Sequence, residues 1–493
     1  MARSAGVLLS ITSLPSPYGI GTIGKEARRF ADFLKEAGQT IWQLLPVGPT
    51  SYGDSPYQSF STYASNPYLI DLDTLVEEGL LTREELDSRD WGDDPEKVDY
   101  EKIYNNRYEV LKIAFENFKT QDQKKYRSFV RKNSKWLKDY ALYMAVKSSF
   151  DMKSWIEWPE DIKMRKPEAL QRYERRLSQD IAFWKFAQFK FFEQWESFRA
   201  YVNDLGIKLM GDLPIYVASD SADTWANPEV FQLYDDGDPI AVAGCPPDHF
   251  SATGQLWGNP LYDWDYLEQT DYEWWSERIK ANSALYDIIR IDHFRAFASY
   301  YSIPFPAENA VEGEWVPGPR MKLFNAMEEI LGKVEIVAED LGELTPDIPE
   351  LMAQTGFPGM KVMIFGFEGE ERYQLDQMDT DNCVVYPGTH DNEPLMEWLE
   401  DAKPGDIAYA RAICNMQPDE PFNWGVIRTC YGCRANTAVI SMQDILGLGK
   451  GSRMNKPSVF GGNWAWRMSA DAASEKIAKE LKILSVQSGR SKE

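Results

Sequence analysis

Short apolar runs that break off at polar, glycine or proline residues recur along the chain, and several alternate with stretches of helical periodicity. Eight of them read as strands: GVLLSITS (6–13), IWQLLPVG (41–48), IKLMGDLP (207–214), IIRIDHF (288–294), VEIVAEDLG (334–342), MKVMIFGF (360–367), CVVYPGTHD (383–391) and TAVISMQD (437–444). Apolar runs of this length bounded by turn formers fit strands buried on both faces. Between the first two lies KEARRFADFLKEAG, where Ala27, Phe30, Leu34 and Ala37 share one helical face and Gly38 marks the stop. That is a β-α-β unit, so its strands are parallel. Eight such strands predict a (β/α)8 TIM barrel, whose active-site face is built by the loops at the C-terminal strand ends.

The spacing of the runs is uneven, and the gaps have patterns of their own. Residues 1–72 contain the first two strands, and 73–203 are mostly helical in pattern, as in YEVLKIAFENFK and IAFWKFAQFKFFEQWESFRAYV. This second stretch reads as an inserted helical subdomain. The third strand falls in 204–217, and 218–268, rich in glycine, proline and aromatics, reads as an irregular insertion. Residues 269–493 hold strands four to eight and a C-terminal segment. Insertions after strands decorate the face where barrel active sites form.

Composition narrows the class of partner. Hydrophobic residues at 43% and charged residues at 26% match a soluble globular protein, and no apolar run approaches the ~20 residues of a membrane span. The opening MARSAGVLLSITSLPS has a short apolar run, but Pro15 and Pro17 follow at once, so it reads as the first strand and not as a signal peptide. A net charge of −24 repels phosphate backbones, which argues against nucleic acid and anionic membranes as partners. Cys245, Cys383, Cys414, Cys430 and Cys433 are few and odd in number, so reduced thiols in a cytoplasmic protein are expected. Cys430 and Cys433 form a CxxC without a second pair or a nearby histidine, and no metal site is expected there.

One motif points elsewhere. GIGTIG (19–24) matches the dinucleotide-binding pattern G-x-G-x-x-G and lies between a strand and a helix. The match is formal: LPSPY separates the strand from the first glycine, and the next strand ends in LLPVGPTSYGD without the acid that would hold a ribose. An oxidoreductase is therefore disfavoured.

Acids at the strand ends carry the chemistry: Asp212, Asp292, Glu339 with Asp340, and Asp391. In an open sheet, strands lie ~4.8 Å apart in a row and the fourth could not meet the seventh; in a barrel their ends converge. Arg290 and Asp292 are two apart on one strand, so they point the same way and the arginine can hold the aspartate ionised. Glu339 and Asp340 point to opposite sides, and periodicity leaves open which faces the barrel mouth. All three histidines, His249, His293 and His390, stand beside an aspartate. Two carboxylates ~5 Å apart are the equipment of retaining glycoside chemistry, and 17 tryptophans with 25 tyrosines supply rings that can stack on sugar faces.

Taken in order, TSLPSPYGIGTIG, YGDSPYQSFSTYASNPYLIDL, GDLPIYVASDSADTW, PPDHFSATGQLWGNPLYDW, RIDHFRAF, EIVAEDLG, YPGTHDNEP and GNWAWRM make the chain resemble, end to end, the amylomaltases or 4-alpha-glucanotransferases of glycoside hydrolase family 77, within the alpha-amylase superfamily. The resemblance implies an interrupted (β/α)8 barrel. It implies Asp292 as nucleophile, Glu339 as general acid/base and Asp391 as transition-state stabiliser. It places His293 and His390 on the hydroxyls of the donor glucose, Arg290 behind Asp292, and Tyr57 and Asp212 as further donor contacts. Tyr52 looks like part of a more distant glucan-stacking site, and Gln255, Trp257 and Asn463 look like substrate-binding positions. PPDHFS departs from the family, which usually has a tyrosine where His249 stands.

The reaction implied is transfer of a 1,4-alpha-glucan segment to the 4-hydroxyl of glucose or another glucan, with no cofactor and no metal. A retaining hydrolase would use the same carboxylates, and a non-catalytic glucan-binding protein would not need all three. The loop CPPDHFSATGQLW (245–257) is expected over the acceptor side, with Phe250 as a water-excluding lid and His249 as a second, titratable stacking position.

Overall fold

The computed structural model describes residues 3–51, 53–247, 251–342, 345–368, 380–457, 459 and 461–491. Among the described residues twelve strands form: β1 (Ser4–Leu8), β2 (Ile41–Gln43), β3 (Lys208–Pro214), β4 (Ala241–Cys245), β5 (Gln255–Pro260), β6 (Ile288–Asp292), β7 (Ser299–Pro304), β8 (Glu314–Pro317), β9 (Ile336–Ala338), β10 (Gly359–Val362), β11 (Cys383–Tyr386) and β12 (Thr437–Ser441). The eight apolar runs correspond to β1, β2, β3, β6, β9, β10, β11 and β12, which form one parallel sheet in the order β10-β11-β12-β1-β2-β3-β6-β9.

That sheet closes on itself as a (β/α)8 barrel. Ala338 N–H of β9 donates to Pro358 O beside β10 at 2.9 Å, and Met360 N–H donates to Asp340 Oδ1 at 2.7 Å. A side chain thus completes the seam where the two end strands would otherwise leave backbone groups unpaired. Gly359 makes room for it, since a Cβ there would lie 2.5 Å from the Asp340 carboxylate.

Helices cover the barrel as the periodicity predicts. The helix Lys25–Glu36 buries Ala27, Phe30, Ala31, Phe33 and Leu34, with Phe30 4.8 Å from the fully buried Trp42 of β2. Between β2 and β3 the long helices Tyr100–Phe118, Ser134–Ser149 and Ser178–Asp204 pack through aromatics, as where Phe118 meets Phe186 at 5.0 Å. The glycines of GIGTIG serve packing. A Cβ on Gly21 would lie 1.9 Å from Ile11 O and one on Gly24 2.1 Å from the Asp71 carboxylate. An aspartate thus stands against the start of the helix where a pyrophosphate would have to bind.

A second, antiparallel sheet of order β5-β4-β7-β8 stands beside the barrel with its own apolar cluster, Val242, Tyr301, Ile303 and Ala310. It crosses the boundary drawn at residue 268, because β7 and β8 follow β6 in the chain. Its strands are four to six residues long and interrupted by glycine and proline, so the pattern gave them no signal.

Candidate active site

Strand register sets the site. On β3 and β6, Asp212 stands opposite Arg290 and Pro214 opposite Asp292; on β6 and β9, Ile291 stands opposite Ala338. One residue further on, Glu339 is level with Asp292, and neighbouring strands are ~4.8 Å apart. His293 leaves β6 in a left-handed conformation (φ 52°), which turns its N–H back toward β9.

Arg290 is the buried cation of the site. Its Nη1 donates to Asp212 Oδ1 and Oδ2 at 2.7 and 2.6 Å and to Asp292 Oδ1 at 3.1 Å, while its Nε approaches Met360 Sδ at 3.4 Å. The side chain of Asp212 is 0% exposed and that of Asp292 27%, so Asp292 is the partner a ligand can reach. Asp212 is the buried partner. It lies between Arg290 and Tyr57, bonded to both.

Tyr57 Oη lies 2.7 Å from Asp212 Oδ2 and 2.7 Å from His390 Nε2. A carboxylate can only accept, so the hydroxyl proton goes to Asp212 and Tyr57 accepts from His390, which fixes the imidazole proton on Nε2. The two rings stack, with centroids 5.3 Å apart, and Trp464 lies 5.6 Å from Tyr57 and 6.2 Å from His390. His390 Nε2 is also 3.3 Å from Asp391 Oδ2, and Asp391 Oδ1 accepts from Asn455 Nδ2 at 2.6 Å.

Glu339 faces the same mouth. Its Oε2 accepts the His293 N–H at 2.7 Å and its Oε1 the Leu341 N–H at 3.0 Å. Asp340, turned the other way, is the seam residue described above. The orientation that periodicity left open is thus settled in favour of Glu339.

Burial governs the protonation of this cluster. It pushes the Asp292 carboxyl well up, against Arg290, and the surrounding carboxylates Asp212, Glu339 and Asp391 push in the same direction. Glu339 is raised by burial too, opposed by Arg290 and its two backbone N–H donors. Burial thus favours the neutral form of both carboxyls, and Arg290 opposes it at each. Burial lowers His390, with Asp391 opposing, and takes His293 down to about 3, so both imidazoles are neutral at physiological pH. His293 Nε2 is enclosed and without a hydrogen-bond partner among the described residues, and the Trp257 ring meets its imidazole edge-on at 4.7 Å.

The other expected positions divide. Trp257 of β5 reaches the cluster, and its Nε1 donates to Gln255 Oε1 at 3.1 Å. Asn463 lies on the loop just before Trp464. Its amide is spent inside its own loop, accepting from Lys456 N–H at 3.0 Å and donating to Val459 O at 2.9 Å. Tyr52, His249 and Phe250 lie outside the described residues. Sequence reasoning did not single out Trp464, Arg453 and Asn455, although Trp464 sits in the GNWAWRM motif. Among the described residues no cluster of three or more His, Cys, Asp or Glu side chains could hold a metal ion.

Comparison with known proteins converges on one family. A family model described as 4-alpha-glucanotransferase matches residues 9–473. The chain is 46% identical over 480 residues to a 4-alpha-glucanotransferase of Clostridium butyricum, covering 96% of this chain and 98% of that one. It is 43% identical over 496 residues to one of Thermus thermophilus, covering 98% of each. Among solved structures, the amylomaltase of Streptococcus agalactiae in complex with acarbose superposes with a TM-score of 0.97 at 42% identity, covering 99% of this chain and 100% of the other.

Proposed function

The chain belongs to the 4-alpha-glucanotransferase family, and from that premise we propose that it transfers segments of 1,4-alpha-glucan to the 4-hydroxyl of glucose or another glucan by retaining double displacement. One observation carries the reading: Asp292, reachable and bonded to Arg290, stands beside Glu339 on neighbouring strand ends.

In the first step an Asp292 oxygen attacks the anomeric carbon of the donor glucose as its bond to the leaving oxygen breaks. Glu339, in its protonated form, gives that oxygen its proton. The result is a glycosyl ester on Asp292 and a shortened glucan. In the second step Glu339 takes the proton of the acceptor 4-hydroxyl, whose oxygen displaces Asp292. Two inversions retain the alpha linkage. Arg290 favours the anionic form of Asp292 against its burial, and Asp391 meets the positive charge that develops on the sugar ring.

Sugar hydroxyls complete the unfilled polar groups of the mouth. His293 Nε2, which has no partner among the described residues, would gain one, while Tyr57 and His390 present neutral groups suited to an uncharged ligand. Trp257 and Gln255 are placed toward the acceptor, with Tyr52, His249 and Phe250 as further contacts on the strength of the family motifs. The helical segment 73–203 and the insertion 218–268 wall the cleft in this reading. The small and odd number of cysteines, five, fits a reducing cytoplasm.

Incubation of the protein with maltotriose tests the proposal. A ladder of longer maltodextrins together with glucose is expected, and glucose with maltose as the sole products would make the protein a hydrolase instead.

A further inference from the structure

Asp292 is held by Arg290 and Glu339 by two peptide N–H groups, whereas the Asp391 side chain is 42% exposed and its Oδ1 is held by the Asn455 amide at 2.6 Å. The same short segment grips the backbone around Asp391. Asn455 N–H donates to His390 O at 3.1 Å, and Arg453 Nη2 donates to Asp391 O at 2.8 Å. Arg453 also braces the segment itself, through Nε to Asn455 O at 2.8 Å and Nη1 to Glu393 at 3.2 Å.

The chemistry of the clamp is specific. An exposed carboxylate loses rotational freedom when it is fixed, so something must hold it. A lysine or arginine at 455 would hold it and offset its charge; an amide holds it and leaves the charge whole. With Oδ1 engaged, Oδ2 remains beside His390 and available to the sugar.

We infer that Asn455 is a positioning residue: it fixes the Asp391 carboxylate in the orientation that meets charge developing on the donor sugar, and so acts on kcat more than on KM. This rests on the reading of Asp391 given above. Charge develops in the transition state and not in the bound donor, so misalignment shows in turnover.

The test uses two variants of the full chain acting on maltotriose. Asn455→Ala lowers kcat about 10- to 100-fold, the range of a lost hydrogen bond to a charged group, with KM within about 2-fold. Asn455→Asp keeps the shape and sets a second carboxylate against Asp391, so the pair shares a proton. The acid limb of its kcat profile then moves up by about one pH unit or more, among neighbours His390, Arg453, Glu393 and Asp292. A purely structural role would lower the Tm and leave that limb in place. Wild-type kcat and pH profile in Asn455→Asp overturn the inference, even if Asn455→Ala fails to fold. Asp391→Asn separates the two readings. If it retains turnover, the role of Asp391 and this inference both fall; if it is inactive while the Asn455 variants behave as wild type, the inference falls alone.

Discussion

Glu339 receives two backbone N–H groups at the barrel mouth, whereas its neighbour Asp340 reaches across the seam to Met360 N–H. Removing each should therefore have opposite signatures. Glu339→Gln is expected to lower turnover on maltotriose by ~10²–10⁴, the usual worth of a positioned general acid, and to recover the first step with an alpha-maltosyl fluoride, whose leaving group needs no proton. Asp340→Ala should leave the chemistry in place and lower the Tm, because a buried N–H left unpaired costs about 1–3 kcal/mol. Fluoride rescue of Asp340→Ala and not of Glu339→Gln would reverse the roles. At this scale the sequence was informative where a local rule applies: a spacing of two put Arg290 and Asp292 on one face. It was silent on the Asn455–Asp391 contact, which joins residues 64 apart through a loop without periodicity.

Elements, not single residues, decide how the site is braced from behind. Asp444, 2% exposed, accepts the Leu395 N–H at 2.7 Å and so ties the helix Leu395–Asp401, which follows Asp391, to the helix Met442–Leu446 after β12. Burial raises its carboxyl to about 6 against those hydrogen bonds. A folded pKa above the unfolded value of ~3.9 gives a contribution fully present below that value and lost as pH rises through about 6. The ionised side chain therefore weakens the fold at neutral pH. Asp444→Asn should gain relative to wild type by roughly 2–3 kcal/mol between pH 4 and pH 7, read as the change in the Tm gap. A gap that is flat or moves toward wild type would refute this linkage. The eight barrel strands were legible because strands covered on both faces are continuous apolar runs. β4, β5, β7 and β8 were not, since β4 pairs with β7 across some sixty residues and each is short and broken by small residues or proline.

For the whole molecule, closure is what turns scattered acids into a site. In the sheet order, β11 and β6 are five steps apart, roughly 24 Å if the sheet were flat at ~4.8 Å per step. Across the mouth of the barrel, Asp391 at the end of β11 instead acts electrostatically on Asp292 at the end of β6. The most direct check is to trap the covalent intermediate. Glu339→Gln protein is mixed with alpha-maltosyl fluoride, which forms the ester without an acid but turns it over slowly without a base, and the digested protein is mapped by mass spectrometry. A mass gain of one maltosyl unit on the peptide containing Asp292, absent when Asp292→Asn is added, is the predicted result. Consumption of the fluoride with no adduct, or an adduct on Asp391 or Asp340, would contradict it.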